Sequence, residues 1–474
     1  MDSTEYDLIV IGSGPAGEKG ALTAAFFGKR VALVEKKASL GGAVANTGTL
    51  PSKTLRETAL ALSGFRAREL HGVDLSVRRA VTIADFMHHE KAVASQERGR
   101  IAHYLDHLRV TLVRGTGSFV DAHTLRVTGP EGEQLLRGKT FLIATGSSPL
   151  RPPEFAFEDE RVCDSDEILR LSSLPGSLVV VGAGVIGSEY ACTFAALGAR
   201  VHVVDGRDRL LSFLDGEVSS ALAAAMQRLG IVFQWQERVT RCDVPEGRGD
   251  VTVHLSNGSS LQAAAVLVAS GRSSNTADLG LDNAGVTIGK RGLIPVDPTY
   301  RTNVPHIYAA GDVIGAPALA ATGAEQARVA MSHAFDLDFK AEIAPILPYG
   351  IYTIPEASMA GETEESLREK GEDYVVGKAF YRDNGRGAII GDRHGFLKLL
   401  FRRRDLKLLG VHVLGEQASE LVHVGLVVLL ADGGFDLFNR ICFNYPTLGV
   451  LYQRAAYDAA IAARGTTWDP SPPA

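Results

Sequence analysis

The sequence predicts an α/β protein with two parallel-stranded βαβ units in one chain and a C-terminal α+β segment. Two observations carry this. Apolar, β-branched runs alternate with helical patterns through most of the 474 residues, which is the signature of parallel sheets with helical crossovers. One alternation also occurs twice, each time as strand, glycine-rich turn, small-residue helix and second strand.

In the first unit a strand over 6–11 runs into Gly12-Ser13-Gly14-Pro15-Ala16-Gly17, then a helix from about 16 and a strand over 31–34 ending at Glu35. The first glycine permits the tight turn and the second lets backbone N–H groups approach a pyrophosphate. The third allows helix and strand to pack closely, and the helix N-terminus adds partial positive charge. Glu35 stands where an acid accepts hydrogen bonds from a ribose diol.

Between the units the pattern predicts a long helix over 82–108 and short strands over 110–113, 124–127 and 140–143. The second unit then repeats the first. A strand over 177–181 leads into Gly182-Ala183-Gly184-Val185-Ile186-Gly187, a helix through 196 and a strand over 201–204, with Asp205 at the offset of Glu35. Strands over 251–255 and 264–268 follow, then a strand ending at Asp312 and a helix over 318–333. The composition shifts around Pro345 to Pro348, and strands near Tyr374, Gly395 and Leu409 open an α+β segment. The helix around 421–430 reads as buried, with His423 in the core or at a subunit interface. The proline-rich stretch 466–474 reads as a disordered tail.

Two Rossmann-like sites imply two dinucleotides. The simplest chemistry for that pair is a bound flavin nucleotide that exchanges hydride with a diffusible nicotinamide nucleotide. Asp205 favours NAD(H), because a carboxylate repels a 2′-phosphate. Arg207 and Arg209 follow at once and are shaped to grip that phosphate, unless they are solvated or pair with Asp205 and Asp208. Both readings stay open at this stage.

Composition narrows the classes. Formal net charge is -6, from 49 basic and 55 acidic residues, too small and mixed to point to a nucleic-acid or anionic-membrane partner. No stretch approaches the roughly 20 apolar residues of a membrane span, and no leader pattern precedes the first motif, so a cytoplasmic protein is expected. Cys163, Cys192, Cys242 and Cys442 lie far apart with no metal-ligand spacing and read as buried apolar residues. His103 and His107 have helical i, i+4 spacing but no further ligands, so no metal site is expected.

Further motifs carry a resemblance. Leu40-Gly41-Gly42, Pro51-Ser52-Lys53, Ala144-Thr145-Gly146, Gly271-Arg272, Ala310-Gly311-Asp312 and Tyr352-Thr353-Ile354-Pro355-Glu356 resemble the two-dinucleotide flavoproteins typified by glutathione reductase and dihydrolipoamide dehydrogenase. The match spans nearly the whole chain. It implies two Rossmann-like dinucleotide-binding domains and a C-terminal α+β dimerisation domain. The expected limits are 1–155 and 276–345 for FAD, 156–275 for NAD(P) and 346–465 for dimerisation, so a homodimer is expected. For FAD the resemblance implies Gly12, Gly14, Ala16, Gly17, Glu35, Gly41, Gly42, Thr47, Ser52, Lys53, Gly117, Ala144, Thr145, Gly146, Gly311, Asp312 and Ala320. For NAD(P) it implies Gly182, Gly184, Val185, Ile186, Gly187, Glu189, Asp205, Arg207, Arg209 and Gly271. Lys53 and Glu189 form the expected catalytic pair beside the flavin and nicotinamide.

The departures matter as much. Disulfide-reducing members carry Cys-x4-Cys where this chain has Val44 and Thr49, and a His with a following Glu where it has Tyr445 and Val450. Neither Val44 nor Thr49 can form a thiolate, so no dithiol relay exists. The loop Arg207-Asp208-Arg209-Leu210-Leu211 and the stretch Phe443-Asn444-Tyr445-Pro446-Thr447 are similar to the soluble pyridine nucleotide transhydrogenases. Those proteins usually keep one cysteine at the position of Val44 and an acid at that of Val450. The leading expectation is hydride transfer between NADPH or NADH and the other oxidised nucleotide. The alternatives are an NAD(P)H:quinone or dye oxidoreductase and a non-catalytic flavoprotein.

Overall fold

The computed structural model describes residues 5–64, 82–247 and 249–465; the expected tail lies outside them. Glu5–Ile11 and Val31–Glu35 pair in parallel, flanking the helix Pro15–Phe26. They belong to a seven-stranded sheet in which Glu5–Ile11 lies between Val31–Glu35 and Gly132–Ile143, and Ile307–Ala309 joins on the far side of Gly132–Ile143. The second unit is a five-stranded, all-parallel sheet around Ser177–Val181, with Arg200–Asp205 on one side and Ala265–Val268 on the other. Both central strands are nearly continuous apolar runs because both faces are covered, by helices on one side and by strands and loops on the other. The chain leaves the first sheet through Ser147–Pro149 and returns through Arg272–Ser274, and these two segments pair antiparallel.

The long helix Ile83–His107 starts where the sequence implies, at Thr82. Its hydroxyl accepts from Asp85 N–H at 3.2 Å, while the Asp85 carboxylate accepts from Thr82 N–H at 3.0 Å. This reciprocal cap satisfies two otherwise orphaned donors. The C-terminal part is a five-stranded antiparallel sheet in the order Tyr349–Ile351, Ala357–Gly361, Leu408–Leu414, Phe396–Arg402, Tyr374–Phe380, packed against Ala418–Leu430 and Val450–Ala463.

Several expectations need correction. The strand Thr116–Asp121 is additional, and the one expected at 140–143 begins at Gly132; its outer half is too polar to register as an apolar run. Tyr349–Ile351 and Ala357–Gly361 also escaped, being short and separated by Pro355. The helix Ala418–Leu430 is not buried all round. His423, Val427 and Leu430 share one stripe at i, i+4 and i+7, with Val427 64% exposed, so His423 is not a core residue. An all-apolar helix has no period that shows which face is open. Cys163, Cys192 and Cys242 are buried, but Cys442 is exposed. No described helix is long and apolar enough to cross a membrane.

Candidate active site

The two glycine turns repeat each other in detail. At Gly12 a Cβ would stand 2.4 Å from Ala144 O, and at Gly182 it would stand 2.5 Å from Ala269 O; both have φ above +100°. At Gly17 and Gly187 a Cβ would fall 1.8 and 1.9 Å from the carbonyl oxygens of Gly12 and Gly182. No side chain fits at these four positions. The helices that follow, Pro15–Phe26 and Val185–Ala196, have Gly14 and Gly184 at their N-caps and no side-chain cap. Their first-turn N–H groups stay free for an anion. By contrast, Asp215 caps Gly216–Arg228.

The repeat extends to the acids. Glu35 accepts from Ser13 N–H at 2.9 Å and Lys37 N–H at 2.8 Å, and Asp205 accepts from Ala183 N–H at 2.6 Å and Arg207 N–H at 2.9 Å. Each carboxylate is therefore fixed against its own turn. In the first unit the Ser13 hydroxyl adds a 2.6 Å bond to Glu35 and accepts from Gly41 N–H. That role of Ser13 had no sequence signal.

Around the first turn, a Cβ at Gly42 would stand 2.8 Å from Gly14 Cα, and one at Gly311 would stand 3.2 Å from Ala16 Cβ. The start of Ala320–Ala334 is fixed beside them, because Gly311 N–H donates to Gln326. Asp312 accepts from the Ser147 hydroxyl at 2.6 Å, and Arg272 donates to that same hydroxyl. Thr145 exchanges hydrogen bonds with Asn275, just before Gly146 at φ +69°. The Thr47 hydroxyl is buried without a partner among the described residues. A cradle walled by glycine backbone, with an orphaned buried hydroxyl beside it, fits a dinucleotide with a polar ring system. Gly117 lies in its sheet, where a Cβ would meet Leu125 and Val34, the residue before Glu35.

Lys53 and Glu189 are 136 positions apart and meet at 2.6 Å. Lys53 comes from the first turns of Thr49–Leu62 and Glu189 from Val185–Ala196, and these two helices pack together. Glu189 is only 4% exposed, and Ser52 Oγ lies 3.4 Å from its carboxylate. A third segment completes the site. Tyr352 N–H donates to Glu189 Oε1 at 3.0 Å, while Lys53 Nζ lies 4.9 Å from the centre of the Tyr352 ring, within cation–π range. Tyr352 had been noted only as part of a motif, since nothing local shows a contact across 163 positions. Val44 is half-buried and Thr49 exposed beside Lys53, all four cysteines are free, and Tyr445 is 69% exposed.

The second turn opens on a cleft of about 570 Å³ lined by Gly182, Gly184, Asp205, Arg207 and Gly271, and by Arg238. Arg207 forks onto Asp205, Nε to Oδ1 at 2.8 Å and Nη2 to Oδ2 at 2.7 Å. Burial opposes the charged form of Asp205, but Arg207 outweighs it and holds the carboxyl below its ordinary value. Of the two readings of Arg207, the structure displays the pair. Arg209 points elsewhere, donating to Ser212 O at 2.8 Å. Val185 and Ile186 form the first turn of the helix after Gly184. Asp215, Glu217 and Glu364 converge as metal ligands would, but the Lys398 ammonium sits among them. His103 and His107 stack at 6.1 Å and join no three-ligand group among the described residues.

Comparison with known proteins agrees with this architecture. Residues 6–334 match the pyridine nucleotide-disulphide oxidoreductase family, and residues 347–456 match its dimerisation domain. The chain is 46% identical over 456 residues to the soluble pyridine nucleotide transhydrogenase of Mycobacterium bovis, covering 96% of this chain and 97% of that one. It is 42% identical over 458 residues to the protein of that name from Pseudomonas putida, covering 96% and 98%. Among solved structures it resembles the HOCl-induced flavoprotein disulfide reductase RclA of Escherichia coli, with TM-score 0.86, 27% identity and coverage of 95% and 99%. It also resembles LpdA of Mycobacterium tuberculosis, with TM-score 0.88, 26% identity and the same coverage. The chain belongs to the pyridine nucleotide-disulphide oxidoreductase family.

Proposed function

We propose that the protein is an FAD-dependent transhydrogenase, a homodimer that moves hydride between NADPH or NADH and the other oxidised nucleotide without a redox disulfide. The observation that carries this is the Lys53–Glu189 pair, held from three chain segments beside a position that offers Val44 and Thr49 in place of thiols. The relatives named as soluble pyridine nucleotide transhydrogenases, aligned over nearly the full chain, support the same reading.

When bound, the flavin supplies the hydride acceptor and donor. The chain's own residues do the rest. The glycine turns would bring backbone N–H groups to each pyrophosphate, with Glu35 beside one ribose and the Asp205–Arg207 pair beside the other. Asp312 would accept from a ribityl hydroxyl, and Thr47 would give its orphaned hydroxyl a partner. Lys53 would place a positive charge beside the bound flavin, and Glu189 with Tyr352 fixes its position. Hydride exchange needs positioning and electrostatics, and no general acid, which suits a chain with Tyr445 and Val450 in place of a His–Glu dyad. The exposed stripe of His423, Val427 and Leu430 supports a subunit contact on the dimerisation domain.

One pocket that serves both nucleotides in turn requires parallel double-reciprocal lines when initial rates are measured against each nucleotide. Intersecting lines would sink the shared pocket.

A further inference from the structure

We propose that Arg238 recognises the 2′-phosphate of NADP(H), while the Asp205–Arg207 pair takes the ribose of either nucleotide. This rests on the transhydrogenase reading, and it gives a physical account of how one pocket admits both substrates.

Three arginines lie close to the second site, and of these Arg238 alone both lines the cleft and has no carboxylate partner among the described residues. Arg207 commits Nε and Nη2 to the two oxygens of Asp205. The pair is close to neutral, so Asp205 no longer repels a phosphate strongly and Arg207 no longer attracts one strongly. Arg209 turns to Ser212 O and does not line the cleft. Arg238 does line it. Its Nε and Cγ would stand 3.3 and 3.6 Å from a Cβ at position 206. The residue there is Gly206, so the arginine stem can lie over the end of Arg200–Asp205, beside the acid that faces the ribose.

The surroundings leave that charge uncompensated. Glu237, the adjacent acid, accepts from Ser256 Oγ and Asn257 N–H. Glu154, which also lines the cleft, forms no ion pair with Arg238, and neither does any other described carboxylate. The Arg238 backbone is nonetheless fixed, since its N–H donates to Ser256 Oγ at 3.1 Å and its carbonyl accepts from Ser256 N–H at 2.9 Å. An exposed guanidinium on an anchored backbone, next to a neutralised ribose acid, has the chemistry a phosphate dianion selects. Sequence reasoning missed it because Arg238 lies 33 positions beyond Asp205, on the segment after the next strand.

The test is calorimetric titration of the holoenzyme with adenosine 2′,5′-bisphosphate and with adenosine 5′-monophosphate. Arg238→Gln is expected to weaken the bisphosphate by about tenfold or more, the scale of one charge-assisted hydrogen bond, with a much smaller effect on the monophosphate. Arg238→Lys should restore part of the loss. An unchanged bisphosphate affinity, an equal loss for both ligands, or no bisphosphate binding by the unaltered protein would each overturn the assignment. Failure of hydride exchange with selective bisphosphate binding intact would sink the transhydrogenase reading and leave Arg238 in its role.

Discussion

Lys398→Met tests how the second nucleotide unit is fastened to the C-terminal sheet. Lys398 lies in Phe396–Arg402 and is fully buried. Its ammonium is 2.8 Å from Asp215 and 3.1 Å from Glu217, and it also contacts Glu364. Asp215, itself 1% exposed on its side chain, caps the helix that follows the Arg207–Arg209 loop. Burial pushes the Asp215 carboxyl up, but the net position is below its ordinary value. His412, the Lys398 ammonium and the Glu364 N–H are what lower it.

Removing one partner of a buried ion pair costs about 3–5 kcal/mol. The lower end applies here, because each acid keeps other support. Asp215 retains the N–H groups of Glu217 and Glu364, Glu217 retains Lys378 at 2.7 Å, and Glu364 retains Tyr374 and Arg368. A loss of about 3 kcal/mol at roughly 2 °C per kcal/mol lowers the unfolding midpoint by about 6 °C. The pH dependence follows from the sign of the shift. A depressed carboxyl contributes stability above its unfolded value of 3.8 and loses it as pH falls through the folded value. Without Lys398 the stranded Asp215 takes up a proton more readily, so the deficit should shrink as the pH is lowered towards 3.8. Scanning calorimetry at several pH values measures both effects. A midpoint change below about 2 °C, or a deficit that does not vary with pH, would refute the reasoning.

Three further outcomes are expected. Gly187→Ala forces a Cβ to within 1.9 Å of Gly182 O and should abolish nicotinamide-nucleotide binding with flavin retained, whereas Gly17→Ala should lose the flavin; absorbance and nucleotide titration separate the two, and identical behaviour would count against two distinct sites. Glu189→Gln removes the anion from Lys53 and should slow flavin bleaching by NADH between about tenfold and a hundredfold, while a rate within about threefold of the unaltered protein would show that the pair is structural. Burial holds His412 below its ordinary value of 6.5, with Asp215, Lys398 and Glu365 around it, so its contribution to stability is present above that pH and declines as pH falls below it. Replacing it with Gln should flatten the slope of unfolding midpoint between about pH 7 and pH 5, and an unchanged slope would remove His412 from the account.

The parts of the fold legible in the sequence were those that a short stretch determines. Both glycine turns, the acids Glu35 and Asp205, and the helix opening at Thr82 follow from local rules about φ, helix N-termini and apolar periodicity. Lys53 and Glu189 were reachable only through resemblance, since their spacing has no local meaning until two helices pack together. Tyr352 and Arg238 were invisible for the same reason, each brought to its site by a different layer of the fold. The exposed face of Ala418–Leu430 was misjudged because an apolar surface that is buried in a core and one that waits for a partner have the same composition.

Rapid mixing under anaerobic conditions tests the central claim most directly. The account predicts that NADPH bleaches the flavin and that a following pulse of an NAD⁺ analogue restores its absorbance, with the reduced analogue appearing at the same rate. Absorbance that returns only after a quinone or oxygen is added would contradict transhydrogenation and make the protein an NAD(P)H:acceptor oxidoreductase.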